Sequence, residues 1–228
     1  MIEKNDILNF IDPSRYKSVL CLNGDLPSTD FFKSCGLPII AADGAANKLN
    51  EHRITPNFII GDCDSVNPSL LQKVPHLKVL DQNYSDFQKA IRYIENNQLA
   101  PSIICGISGN YLDHIINNIG IFMQVNPENV FIDNEIIGFN LYQNHEFKFP
   151  IDSKISILGM PHCNISTTGM KWELLDLELS FPGYTSCFNR NVLSDIYIEI
   201  HKGRALMIVY RNTVSDAGLD ENDNHIDI

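Results

Sequence analysis

Over its first 135 residues the chain alternates short apolar runs with stretches of helical periodicity, and this restricts it to very few architectures. Residues 18–23 (SVLCLN), 38–42, 57–60, 77–80, 102–105 and 129–132 read as strands. They are short and apolar, as strands covered on both faces are. Residues 45–52, 86–97 and 112–125 read as the helices between them. Strand–helix alternation predicts a doubly wound, mostly parallel α/β sheet, whose ligands gather at the C-terminal ends of the strands. After about residue 135 the texture changes to short, often alternating runs at 146–149, 154–158, 174–179, 195–200 and 205–210, separated by Gly, Pro, Asn and Ser. That predicts a C-terminal all-β sandwich. The expected organisation is therefore an α/β unit over 1–135, a β-sandwich over 136–214 and an acidic, solvated tail over 215–228.

Composition excludes several classes of function. Seventeen basic against twenty-eight acidic residues give a net charge of −11, which argues against a broad nucleic-acid surface. The sequence lacks an apolar run of the roughly 20 residues a membrane helix needs. The opening MIEKNDILNF has no signal-like apolar core, so the cytoplasm is the expected location. Six cysteines without a C-x-x-C pair read as free thiols rather than a zinc site or disulfide framework.

Acidic residues fall at the ends of the predicted strands. Gly61-Asp62-Cys63-Asp64-Ser65 follows an apolar strand, and in an extended segment residues two apart point the same way. Asp62 and Asp64 would then present two hard oxygen ligands suited to Mg²⁺. The plainer reading is a polar turn in which Asp64 or Asn67 caps a helix begun by Pro68. Asp43, in Ala42-Asp43-Gly44, sits at a second strand tip and reads equally as a helix N-cap. In Asp81-Gln82-Asn83-Tyr84-Ser85-Asp86-Phe87-Gln88-Lys89, Ser85 and Gln88 fit a capping box. Asp86 and Lys89 share a helix face, either as a surface ion pair or as an acid for Mg²⁺ beside a cation for phosphate. The loop Gly106-Ile107-Ser108-Gly109-Asn110-Tyr111 leads to a helix bearing Asp113, His114 and Asn117, but it is no Walker motif. His114 reads as a structural histidine before a general base. In the β-rich half, Thr167-Thr168-Gly169-Met170-Lys171-Trp172 holds the single tryptophan, as core or as a platform for a flat cation. Ser186 and Asn189 follow in a turn-rich stretch.

Taken in order, ADGAAN, GDCDS, DQNYSDFQKA, GISGNYLDH, TTGMKW and the Ser186…Asn189 turn resemble the thiamin pyrophosphokinase family across roughly residues 19–209. The resemblance implies a homodimer with thiamin sites between subunits, and the transfer of a diphosphate from ATP to the thiamin hydroxyl with release of AMP. By position it implies Asp62, Asp64 and Asp86 as metal-binding acids, with Asp43 close to the transferring group. It implies Gln82, Ser85, Lys89 and Asp113 around the nucleotide, and Trp172, Ser186 and Asn189 against the thiamin rings. Three positions depart from the family pattern. Asn110-Tyr111 stands where Gly-Arg is usual, Gly44-Ala45 replaces Gly-Gly, and Phe188 replaces a serine beside Asn189. Lys89 or a residue from elsewhere would then do the work of the absent guanidinium. The alternatives are a diphosphokinase for another hydroxymethyl heterocycle, such as a pterin, and a catalytically silent thiamin or nucleotide binder.

Overall fold

The computed structural model describes residues 10–109 and 111–211; the acidic tail expected at 215–228 lies outside them, as does Asn110. The α/β half runs β1 (Ser18–Cys21), α1 (Thr29–Cys35), β2 (Ile39–Ala42), α2 (Ala45–Glu51), β3 (Phe58–Gly61), α3 (Pro68–Leu71), β4 (His76–Lys78), α4 (Asp86–Asn96), β5 (Ser102–Cys105), α5 (Leu112–Phe122) and β6 (Val130–Ile132). Successive residues of its central strands belong to different cores. Val19, Cys21, Ile39, Ala41 and Ile59 pack with Phe31 and Phe32 of α1 and Leu49 of α2. Leu20, Ile40, Ala42 and Ile60 pack with Phe87, Ile91 and Ile94 of α4 and Phe122 of α5. Each strand is thus apolar on both sides because each side meets a helix layer.

The strands pair in parallel in the order β6-β5-β1-β2-β3-β4. From β1 the chain builds outward to β4, then returns to place β5 on β1's other side. The β1/β5 gap is therefore the topological switch point, where the loops leaving the strands diverge and open a crevice.

The second half continues the same sheet. β7 (Ile136–Leu141) pairs antiparallel with β6, and β8 (His145–Lys148), β9 (Lys154–Thr168), β10 (Leu177–Ser180), β11 (Ser186–Arg190) and β12 (Asp195–Tyr210) follow. Hydrogen bonding runs unbroken through β6, β7, β12, β9 and β10, across the boundary expected near residue 135. The runs expected at 195–200 and 205–210 are one strand, β12, which pairs with β8 at one end and β7 at the other. Its register against β9 shifts between Ile200 and Lys202 and between Gly203 and Ala205, so the polar residues read as a loop lie within the strand. Likewise β9 continues ten residues beyond the expected 154–158 run. A third core of Leu141, Ile155, Ile157, Leu179, Ile198 and Met207 lies beneath these strands. Among the described residues no helix is long and apolar enough to cross a membrane. All six cysteines are free, five of them buried and Cys187 exposed.

Candidate functional site

Three carboxylates converge where β2 and β3 end. Oxygens of Asp43, Asp62 and Asp64 all lie within 4.8 Å of one another. Alternation along an extended strand is not what brings the last two together. β3 ends at Gly61, and Cys63 adopts a left-handed φ of 61° that redirects the chain between them. Asp43 also has a positive φ, 44°, which a non-glycine residue holds only when its surroundings over-determine it. The backbone of Asp43 donates to Ile60 O, while its Oδ1 accepts the Cys63 N–H at 3.0 Å. Gly61 must lack a side chain, since a Cβ there would sit 2.7 Å from that of Asp43.

Neither Asp43 nor Asp64 is a helix cap. Asn67, not Asp64, caps α3, accepting from Ser69 N at 3.0 Å. Gly44, not Asp43, occupies the N-cap of α2. Asp43 is buried, and burial, reinforced by the negative charge of Asp86, raises its carboxyl above the usual range. Asp62 goes the other way, held low by the Gln82 amide donating at 3.1 Å and by the Asp64 N–H. The Ser65 hydroxyl donates to Asp64 Oδ1 at 2.9 Å.

Beside the cluster, a cleft of about 430 Å³ opens at the switch point. Leu22 and Asn23 after β1, Asp43 and Gly44 after β2, Gly106 after β5, and Ser85 and Asp86 at the start of α4 line it. The β1 and β5 loops approach so closely that a Cβ on Gly106, where φ is 79°, would lie 2.3 Å from Leu22 O. Ser85 caps α4 with the full capping box. The buried ammonium of Lys89 donates to Asp86 Oδ1 at 3.0 Å. Tyr111, His114, Asn117 and Asn118 close the α5 side. Tyr111 stands 76% exposed over the cleft, its ring edge-on to His114 at 5.8 Å. Asp113 is exposed and is not among the cleft-lining residues; its Oδ1 accepts the His114 N–H.

The residues singled out in the β-rich half form a group of their own. Ser186 and Asn189 lie on strand β11, not in a turn. Buried Asn189 brackets the Trp172 backbone, donating to its O at 2.7 Å and accepting its N–H at 3.2 Å. Its Nδ2 also reaches Ser186 Oγ at 3.5 Å. This bracket leaves the indole 55% exposed rather than in the core, with the Lys171 ammonium 4.5 Å from its ring centre. Phe188 is exposed at a φ of 55° and rests on Tyr210 at 5.3 Å.

Residues 31–132 match the family described as thiamin pyrophosphokinase, catalytic domain. The chain is 26% identical over 186 residues to thiamine pyrophosphokinase 3 of Oryza sativa subsp. japonica, covering 66% of this chain and 69% of that protein. It is 23% identical over 198 residues to thiamin pyrophosphokinase 1 of Caenorhabditis elegans, covering 77% and 80%. In fold it is similar to the yeast thiamin pyrophosphokinase, with a TM-score of 0.76 at 18% identity over 91% of this chain and 89% of that one. The Candida albicans thiamin pyrophosphokinase gives 0.73 at 17% identity over 87% and 90%.

Proposed function

We propose that this chain, which belongs to the thiamin pyrophosphokinase family, transfers the diphosphate of ATP to the hydroxyl of thiamin, yielding thiamin diphosphate and AMP. The observation that carries the reading is the convergence of Asp43, Asp62 and Asp64 where β2 and β3 end, with Asp43 lining the switch-point cleft. Three clustered carboxylates, one of them buried, repel one another until a cation joins them, and their oxygens are the hard ligands a small divalent ion takes.

We assign Mg²⁺ to these acids, with Asp86 close by and held in place by Lys89. Bound there, Mg²⁺ supplies charge neutralisation for the phosphates of ATP. The protein's own contribution is positioning. The capped N-terminus of α4 offers its unpaired N–H groups to an anion beside Ser85. Gln82 holds Asp62 in its ionised form. Lys89 and the Tyr111 hydroxyl are the donors nearest to the role of the arginine that Tyr111 replaces. Asp113, on the exposed start of α5, is assigned to the nucleotide's outer edge.

Trp172, Ser186 and Asn189 are assigned to thiamin. The exposed indole supports this, because an aromatic ring presented to solvent attracts a flat cation such as the thiazolium. In this reading residues 1–135 form a doubly wound ATP-binding unit and 136–214 a thiamin-binding sandwich. The working form is a homodimer with sites between subunits, in the cytoplasm.

The test is AMP release from ATP and Mg²⁺, with and without thiamin, with the phosphorylated product identified. Thiamin-dependent AMP and thiamin diphosphate are expected, and Asp62→Asn or Asp64→Asn should abolish both while leaving the fold intact. Wild-type turnover in either variant would sink the metal assignment. A different heterocyclic alcohol as the better acceptor would move the reading to the pterin-like alternative. No acceptor-dependent AMP from folded protein would leave a silent binder.

A further inference from the structure

Helix α2 does more than follow the strand tip that bears Asp43. Its Asn47 side chain reaches across to the loop beyond the acid pair, where Nδ2 donates to Ser65 O at 2.7 Å and Oδ1 accepts the Asn67 N–H at 2.9 Å. The next residue, Lys48, turns the other way and donates to the carbonyls of Asn23 and Gly24 at 2.9 and 3.0 Å. Two adjacent residues of one helix therefore hold the loops after β1 and β3, both of which line the cleft. The Asn47 contacts matter chemically because Ser65 is the residue whose hydroxyl donates to Asp64. Fixing the Ser65 carbonyl and the Asn67 amide fixes the peptide units on either side of residue 66. That aims the hydroxyl and holds Asp64 against the repulsion of its neighbours.

We propose that Asn47 is a positioning residue, whose carboxamide locks the 65–67 loop so that Asp62 and Asp64 stay converged with Asp43 before any cation arrives. The proposal rests on reading these acids as the metal site. Without the lock, three like charges within 4.8 Å would spread, and cation binding would have to re-order the loop. Asn47 acts on the acids through Ser65 and Asn67, as outer groups around a metal site orient its ligands.

The test compares wild type, Asn47→Ala and a control, Ile157→Val, which trims a buried side chain in the separate β-rich core. Two measurements need no turnover: amide exchange across 62–67 in metal-free protein, and Mn²⁺ binding followed by its EPR signal. Asn47→Ala is expected to speed exchange at 62–67 and weaken Mn²⁺ binding by about tenfold or more. In the AMP assay its half-saturating Mg²⁺ should rise similarly while KM for thiamin stays put. Ile157→Val should move none of these, whatever it does to thermal stability. Mn²⁺ bound equally by wild type and Asn47→Ala, with unchanged exchange, overturns the proposal alone. Failure of both proteins to bind Mn²⁺ overturns the metal reading and the proposal with it.

Discussion

Asp43 is pulled two ways. In its proposed role as a metal ligand it must be ionised, yet burial and the charge of Asp86 raise its carboxyl above the usual 3.8. Between that value and its folded pKa the native state binds more protons than the unfolded chain, so stability falls as pH rises through the window. The ionised form, which the proposed reaction requires, is thus the less stable one. Asp43→Asn removes the charge while its Oδ1 can still accept the Cys63 N–H. The variant should lose AMP release and melt higher than wild type at neutral pH, and this advantage should vanish as pH falls below the folded pKa. Melting temperatures of both proteins measured against pH check it; a variant less stable at every pH would refute it. Much at this scale was legible: acids at strand tips announce themselves, and the Ser85–Gln88 spacing gives the capping box. Asn47 was not, because its partners at 65 and 67 lie about twenty residues away, and only the fold sets that distance. Nor did Asp113's place away from the cleft lining follow from sequence, since helical spacing gives a face and not the neighbour it meets.

Helix α4 links local sequence to the cleft. Its cap places Asp86 in the first turn and Lys89 one turn along, beneath it. Ser85→Ala removes the acceptor for the Gln88 N–H and should cost about 1 kcal/mol of stability, read from denaturant unfolding. Fraying there would loosen Asp86 too, so nucleotide binding should weaken more than thiamin binding; equal effects on both would deny α4 a special part in holding ATP. The parallel strands were readable because burial on both faces makes them uniformly apolar. Other elements were not, among them β7 and β11, which lie outside every run read as a strand. α1 has its large apolar residues adjacent, as Phe31-Phe32, rather than spaced along a helix face, though Ser28 before it and left-handed Gly36 after it mark its ends. β9 and β12 outran their apolar stretches because hydrogen bonding to neighbouring strands, rather than burial, carries them through polar residues such as His162, Asn164 and Lys202.

At the scale of the molecule, the exposed apolar residues need an account. Tyr111, Leu112 and Ile116 stand out on α5, and Trp172, Leu175, Phe181, Tyr184, Phe188, Val192 and Leu193 in the β-rich half. Large apolar side chains left in water at two regions, each assigned to a substrate, are what a shared interface would cover. If thiamin sits between subunits, the acids of one protomer work with the Trp172 group of its partner. That arrangement can be tested by mixing defects. Trp172→Ala should raise KM for thiamin by tenfold or more, within what about 1–3 kcal/mol of lost ring stacking gives, while Asp62→Asn should be inactive. Each is defective as a homodimer. A heterodimer places the intact acids of the first subunit opposite the intact tryptophan of the second, and so rebuilds one of its two sites. Random reassociation of equal amounts should then recover about a quarter of wild-type activity at low thiamin, because about half of the dimers are mixed. A site complete within one subunit predicts no recovery, since neither chain then supplies both halves. The mixture therefore separates a reaction shared across the two-fold axis from one confined to a single protomer.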